Sequence, residues 1–180
     1  MSNLLRRIQF LLPQHFLSRF FGFLAESRFL KNILIRTFVR TYKVDMSEAL
    51  NDDLSEYKNF NTFFTRELKT NARPFDSNSN TIVSPADGKI SALGEIIGAQ
   101  LLQAKEHYFS THDLLGGNHK LAKQFNNGTF ATIYLSPKDY HRVHMPISGK
   151  LISTIYIPGK LFSVNRITTE ALPNLFARNE

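Results

Sequence analysis

Hydrophobic positions recur at spacings of three and four from the start of the chain. Leu4, Leu5, Ile8, Leu11 and Leu12 form one stripe with Arg6 and Arg7 off it, and Pro13 ends the run. A second stripe of Phe16, Phe20, Phe23 and Leu24 is followed by Leu30, Ile33, Leu34 and Phe38. Its other side carries His15, Arg19, Gly22 and Glu26, then Arg36 and Arg40. The spacing predicts amphipathic helices over this region. Tyr42 to Lys58 is a polar connection bearing Asp45, Glu48, Asp52, Asp53 and Glu56. Asn61 to Leu68 predicts a short helix with Asn61 as its N-cap, and the Pro74-containing stretch from Asn71 to Asn80 predicts a loop.

Beyond that loop the period shortens. Ile82-Val83 and Ile90-Ser91-Ala92-Leu93 flank Pro85-Ala86-Asp87-Gly88, which predicts two strands about an Asp-Gly turn. Ser110-Thr111-His112-Asp113 ahead of Gly116-Gly117 predicts a capped, glycine-ended helical turn. After the Asn126-Asn127-Gly128 turn, Thr129 to Leu135 predicts a strand; Leu151 to Ile157, ending at Pro158-Gly159, predicts another. The fold class is α+β: N-terminal amphipathic helices, then a mainly antiparallel β core, because short turns rather than crossover helices join the strand runs. Residues 1–42 form a basic helical region and residues 43–180 the body.

Charge sharpens this division. The 180 residues carry a net charge of +7, and the stretch from Met1 to Lys43 holds eight basic side chains against the single acid Glu26, so the remainder is electrically balanced. Helices with Phe and Leu on one side and Arg on the other suit the headgroup boundary of an anionic membrane. The same periodicity also suits a helix packed on its own domain. The density of Phe and Leu exceeds what a phosphate-tracking arm needs, so nucleic acid is not an expected partner. No apolar run reaches membrane-spanning length. Pro13, His15 and Arg19 interrupt any secretory signal, which puts the body in the cytoplasm. With no cysteine in the chain, disulfides, thiolate zinc sites, iron–sulfur clusters and a cysteine nucleophile are excluded.

Three stretches hold candidate chemistry. In Ser84-Pro85-Ala86-Asp87-Gly88, Asp87 is either a turn residue before glycine or a carboxylate held on a rigid loop to orient a histidine. In Ser136-Pro137-Lys138-Asp139-Tyr140-His141-Arg142-Val143-His144-Met145-Pro146, the Ser-Pro-x-Asp start is a helix-initiating signature that projects Tyr140, His141 and His144 just after a strand. A metal reading would join His141 and His144 to one of His107, His112 or His119, but the HxxH spacing lacks the i,i+4 pair and intervening Glu of helical zinc hydrolases. The third stretch, Pro158-Gly159-Lys160-Leu161-Phe162-Ser163-Val164-Asn165, reads by itself as a turn into an apolar segment. Glycine-rich phosphate loops, dinucleotide fingerprints and G-x-S-x-G elbows are absent from the sequence.

Taken together, these stretches closely resemble the bacterial membrane-bound phosphatidylserine decarboxylase proenzymes. The resemblance is carried by Tyr42-Lys43-Val44-Asp45-Met46, Phe60-Asn61-Thr62-Phe63-Phe64-Thr65-Arg66, Pro85-Ala86-Asp87-Gly88, Asn127-Gly128-Thr129-Phe130, Leu135 through Pro146, Leu161 through Asn165 and Pro173 through Glu180. These run in the family's order along nearly the whole chain. The resemblance implies a decarboxylase that converts phosphatidylserine to phosphatidylethanolamine and CO2, in phospholipid biosynthesis, peripheral on the cytoplasmic side of the inner membrane. Loss of CO2 from an amino acid needs an electron sink, and the family's is a pyruvoyl group made by self-cleavage at a serine in Leu-Gly-Ser-Thr. By the same resemblance Asp87 orients the imidazole of His144, which acts as base on that serine, and His141 transfers a proton near the substrate.

One departure is decisive for activity. Leu-Gly-Ser-Thr is absent, and no serine of the chain follows a glycine. The expectation is therefore a truncated or split proenzyme, incomplete at its C-terminus, whose pyruvoyl-forming serine lies beyond Glu180 and which is inactive alone. Expected partners are phosphatidylserine, an anionic membrane surface, the missing C-terminal segment and a second copy in the family's homodimer. Two other readings stand beside it: a non-catalytic membrane-surface remnant, and a metal hydrolase using His141 and His144.

Overall fold

A computed structural model of the chain describes residues 14–78, 80–104 and 107–178. The predicted stripe from Leu4 to Leu12 lies outside them. Helix α1 (Gln14–Glu26) and helix α2 (Lys31–Tyr42) follow the second stripe. In α2, Lys43 closes the helix in the left-handed region, its N–H on the Val39 carbonyl, and Ile35 is fully buried. Helix α1 buries no residue; Phe16, Phe20, Phe21 and Phe23 are all exposed, as are Phe29 and Ile33. Among the described residues no helix is long and apolar enough to cross a membrane.

The chain divides into two compact units. One contains most of the helical segment with the chemistry-bearing loops, Phe20–Lys89 and Ile133–Ile152. Its core is Ile35, Val44 and Phe63, ringed by Phe38, Val39, Met46, Leu54, Tyr57, Phe60 and Phe64. Phe38 meets Phe60, Phe63 and Phe64 edge-on with ring centroids 5.1–5.9 Å apart, the arrangement that aromatic quadrupoles favour.

Helix α3 (Phe60–Phe64) brings three of these rings into the core, and its cap corrects the sequence expectation. The N-cap is Asn59, not Asn61: the Asn59 side chain accepts from the Thr62 N–H at 2.9 Å, while the Asn59 N–H donates to the Thr62 hydroxyl at 3.2 Å. Thr62 thus fills the place of the usual Glu or Gln in a capping box. Asn61 lies inside the helix, where its carbonyl accepts from the Thr65 N–H and hydroxyl, and the helix stops at Phe64.

The other unit holds the sheets. Strand β1 (Lys89–Glu95), strand β2 (Gln100–Ala104) and strand β3 (His107–Ser110) are followed by the helical turns α4 (Thr111–Leu114) and α5 (His119–Ala122), and then by strand β4 (Thr129–Tyr134). Ser110 caps α4, as its sequence predicts. Strands β2 and β3 form an antiparallel hairpin, and β1 pairs with β4 in a second two-stranded sheet. The Ser91 hydroxyl bonds to the Thr132 carbonyl and the Ile96 N–H to the Gly128 carbonyl, so β1 and β4 run antiparallel. Ile96, Leu101, Phe109 and Ala177 form this unit's core, with Phe130 and Phe176 against it. The short turn α6 (Arg166–Thr169) leads to the segment whose Thr169 and Leu172 carbonyls accept from the buried Gln103 side chain.

Two strand expectations are corrected. Ile82-Val83 does not close a hairpin onto Ile90–Leu93: β1 takes β4 as its partner. The Val83 N–H instead donates to the Pro146 carbonyl at 3.0 Å, and the His144 N–H to the Pro85 carbonyl at 2.7 Å. These paired contacts stop at two prolines, which have no N–H to extend them. Leu151 to Ile157 has no regular secondary structure and belongs to no ladder among the described residues, and Leu151, Ile152, Ile155 and Tyr156 are exposed. β-branched composition makes a strand only where a neighbour supplies the pairing.

The observed cap makes a direct test. Asn59→Ala should destabilise the chain by about 1 kcal/mol in urea unfolding, whereas Asn61→Ala should change it by less than about 0.5 kcal/mol. The reverse order would restore Asn61 as the cap.

Candidate functional site

Two of the three candidate catalytic residues, Asp87 and His144, meet in a cleft of about 650 Å³ within the helical unit. Asp87, Tyr140 and His144 line it, with Phe75, Val83 and Met145 supplying apolar wall. The paired contacts between Val83 and Pro146 and between Pro85 and His144 lay the Asp87 loop beside the His144 loop. Gly88 then turns the chain at φ +118° against the Tyr134 carbonyl; a Cβ there would sit 2.4 Å from that oxygen. Only glycine fits, so the Asp-Gly pair marks a close backbone approach rather than a hairpin turn.

Asp87 is held by Arg73. The guanidinium Nε donates to Oδ1 and Nη2 to Oδ2, both at 2.7 Å, a two-pronged pairing that fixes the carboxylate plane. Nη2 also donates to Glu48 at 2.9 Å and Nη1 to the Ala72 carbonyl at 2.7 Å. The backbone N–H of Tyr140 adds a long contact of 3.4 Å to Asp87 Oδ2. Arg73's hydrogen bonds, opposed by partial burial, hold the Asp87 carboxyl below the usual carboxylate range. Asp87 and Glu48 in turn hold the guanidinium above its ordinary value.

His144 is exposed, and its Nε2 lies 2.9 Å from the hydroxyl of buried Tyr140, whose ring stacks on the imidazole at 23°. Asp87 and His144 share the cleft without a direct hydrogen bond; Tyr140 contacts both. His141 lies outside the cleft's lining. Its ring stacks on Phe64 at 3.9 Å and its Nε2 bonds to the Ser136 carbonyl at 3.1 Å. Burial pushes its pKa down, against the Ser136 bond.

The turn that carries these residues is not the helix start its sequence suggests. The Ser136 N–H and hydroxyl both donate to Asp139 Oδ2, at 2.6 and 2.8 Å, and a single turn results. The Ser136 N–H to Asp139 bond is the reciprocal half of a capping box, but the chain leaves the helical path after Asp139. The helical core anchors this turn: Arg142 donates to the Thr65 carbonyl and to Glu67, and buried Arg66 donates to the Lys138 carbonyl. Among the described residues no group of three or more His, Asp or Glu is placed to hold a metal ion; His112 and His119 stack on each other, and His107 bonds to the Glu170 carbonyl.

Sequence reasoning missed Arg73 and Glu48. They lie fourteen and thirty-nine positions from Asp87, so no local spacing signals the cluster.

A family model described as phosphatidylserine decarboxylase matches residues 60–180, and one described as PSD matches residues 4–43. The chain is 58% identical over 174 residues to the phosphatidylserine decarboxylase proenzyme of Ectopseudomonas mendocina, covering 96% of this chain and 61% of that protein. It is 53% identical to the proenzyme of Stutzerimonas stutzeri, covering 96% of this chain and 59% of the relative. To that of Alcanivorax borkumensis it is 54% identical, covering 96% and 60% respectively. The chain spans about three fifths of the length of these curated relatives. It belongs to the phosphatidylserine decarboxylase family.

The Arg73 clamp has a pH signature. The folded pKa of Asp87 is depressed, so its contribution is full above the unfolded value near ~3.9 and is lost as pH falls through the lower folded value. The urea midpoint should therefore drop between about pH 5 and about pH 2, and Arg73→Gln should flatten that drop. An Arg73→Gln profile parallel to wild type would show that the clamp contributes nothing.

Proposed function

We propose that this member of the phosphatidylserine decarboxylase family is the part of a proenzyme that carries the acid–base groups of self-cleavage. In this reading Asp87 is the orienting carboxylate and His144 the base that takes the proton of a serine hydroxyl. The observation that carries it is the cleft itself, where an ionised Asp87 and an accessible imidazole, fifty-seven positions apart, lie together. His141, stacked on Phe64, is in this reading the proton-transfer group of the later decarboxylation.

The serine belongs to the remaining two fifths of the relatives' length, which in this reading is the chain's essential partner. The cleft's lining suits a pyruvoyl group: the His144 imidazole and Tyr140 hydroxyl would offer hydrogen bonds to its oxygens, beside the apolar side chains of Phe75, Val83 and Met145. When bound, that carbonyl supplies the electron sink for loss of CO2 from the serine headgroup of phosphatidylserine. Asp87 is held ionised by Arg73 in the same cleft as His144.

The membrane is the second half of the proposal. Phe16, Phe20, Phe21 and Phe23 are exposed on α1, and Arg19 lies among them. A helix packed on its own domain would bury such a face; here it is left for the acyl boundary of an anionic bilayer, reached from the cytoplasmic side. The family's homodimer belongs to the same reading.

A chimera tests the chemistry. This chain, joined to the C-terminal two fifths of the Ectopseudomonas mendocina relative, should cut itself into two chains. His144→Ala should slow that cleavage by about 10²–10⁴-fold, and the 180-residue chain alone should release no CO2 from phosphatidylserine. Cleavage at an undiminished rate in His144→Ala, or turnover by the chain alone, would overturn the reading. For the membrane, flotation with anionic vesicles should show binding that weakens with salt and falls about tenfold or more in Phe20→Ser/Phe23→Ser. Binding indifferent to both would remove α1 as the anchor.

A further inference from the structure

Tyr140 contacts both members of the proposed pair, and its surroundings decide the direction of one hydrogen bond. Its hydroxyl lies 2.9 Å from His144 Nε2 and has no other partner among the described residues. The residue is only 8% exposed. If His144 carried its proton on Nε2, the imidazole would donate and the phenol proton would have no protein acceptor among the described residues. If the phenol donates, Nε2 accepts and both groups are satisfied. The imidazole proton then sits on Nδ1, which has no protein partner among the described residues and belongs to an exposed side chain that water reaches.

We infer that Tyr140 is a positioning residue that fixes His144 in the Nδ1–H form. This inference rests on the reading of His144 as the base, and deepens it. In an Asp–His–hydroxyl relay the carboxylate accepts from Nδ1–H, while Nε2 receives the nucleophile's proton. The Tyr140 hydroxyl holds on Nε2 the place that the attacking hydroxyl takes, so the base is held in the working tautomer before that hydroxyl arrives. Stacking of the phenol ring on the imidazole, with centroids 5.5 Å apart, fixes the ring plane as well. The backbone N–H of the same residue reaches Asp87, so one residue touches both the orienting carboxylate and the base. The arriving hydroxyl has to displace the phenol, not reorient the imidazole.

The test uses the 180-residue chain itself, labelled with ¹⁵N-histidine, in a long-range ¹H–¹⁵N spectrum at about pH 8, where imidazoles are neutral. His144 should show a protonated Nδ1 and an accepting Nε2. In Tyr140→Phe, which keeps the ring, the Nδ1–H to Nε2–H ratio should fall about fivefold, the loss of one ordinary hydrogen bond. His141, whose Nε2 donates to the Ser136 carbonyl, reports whether the turn survives and should stay Nε2–H in both proteins. A wild-type His144 protonated on Nε2, or averaged like the exposed histidines, would overturn the inference. So would an unchanged ratio in a variant with His141 intact. Should the variant lose its fold, the wild-type spectrum decides alone. The readout involves no cleavage, so it can fail while the chimera cuts itself, and succeed while the chimera does not.

Discussion

The two-pronged bond between Arg73 and Asp87 is the constraint on which the cleft depends. A carboxylate on the irregular stretch ahead of β1 has no regular structure to fix it, and a planar, multiply bonded partner sets its orientation. Arg73 also binds Glu48 and its neighbour's carbonyl, so the connection after α2, the loop at Arg73 and the turn at Asp87 are tied at one point. A lysine could carry the charge but not the geometry.

The second support comes from the aromatic core. The rings of α3 face Phe38 on one side, and Phe64 carries the His141 ring on the other. Arg66, buried over the Phe63 ring at 5.6 Å, passes this rigidity to the Lys138 carbonyl, and Arg142 fastens the same turn from outside. His144 therefore projects into the cleft from a loop whose preceding turn is held by packing. That is how a loop residue acquires the precision acid–base chemistry needs.

Much of this was legible in the sequence, for reasons that differ by element. The helical stripe of α1 and α2, the capped turn after β3 and strand β4 follow from local periodicity and capping chemistry, and they form as read. Asn59 was passed over because its capping box uses Thr62 where Glu or Gln is usual. Ile82-Val83 and Leu151–Ile157 carry strand composition, but pairing is a tertiary event: the first finds only the stretch before Pro146, and the second joins no ladder among the described residues. At the site, Asp87, His141 and His144 stood out by residue type and resemblance. The clamp of Arg73 and Glu48, and the contact between Tyr140 and His144, depend on distances that no spacing encodes.

Arg73 and Asp87 act as one unit. A double-mutant cycle of Arg73→Gln and Asp87→Asn on unfolding free energy at neutral pH measures this directly, since it isolates their mutual interaction from the bonds to Glu48 and Ala72. With the Arg73 side chain 42% exposed and screened by solvent, the predicted coupling is about 1 kcal/mol. Single-mutant effects that add to within about 0.3 kcal/mol would contradict the claim.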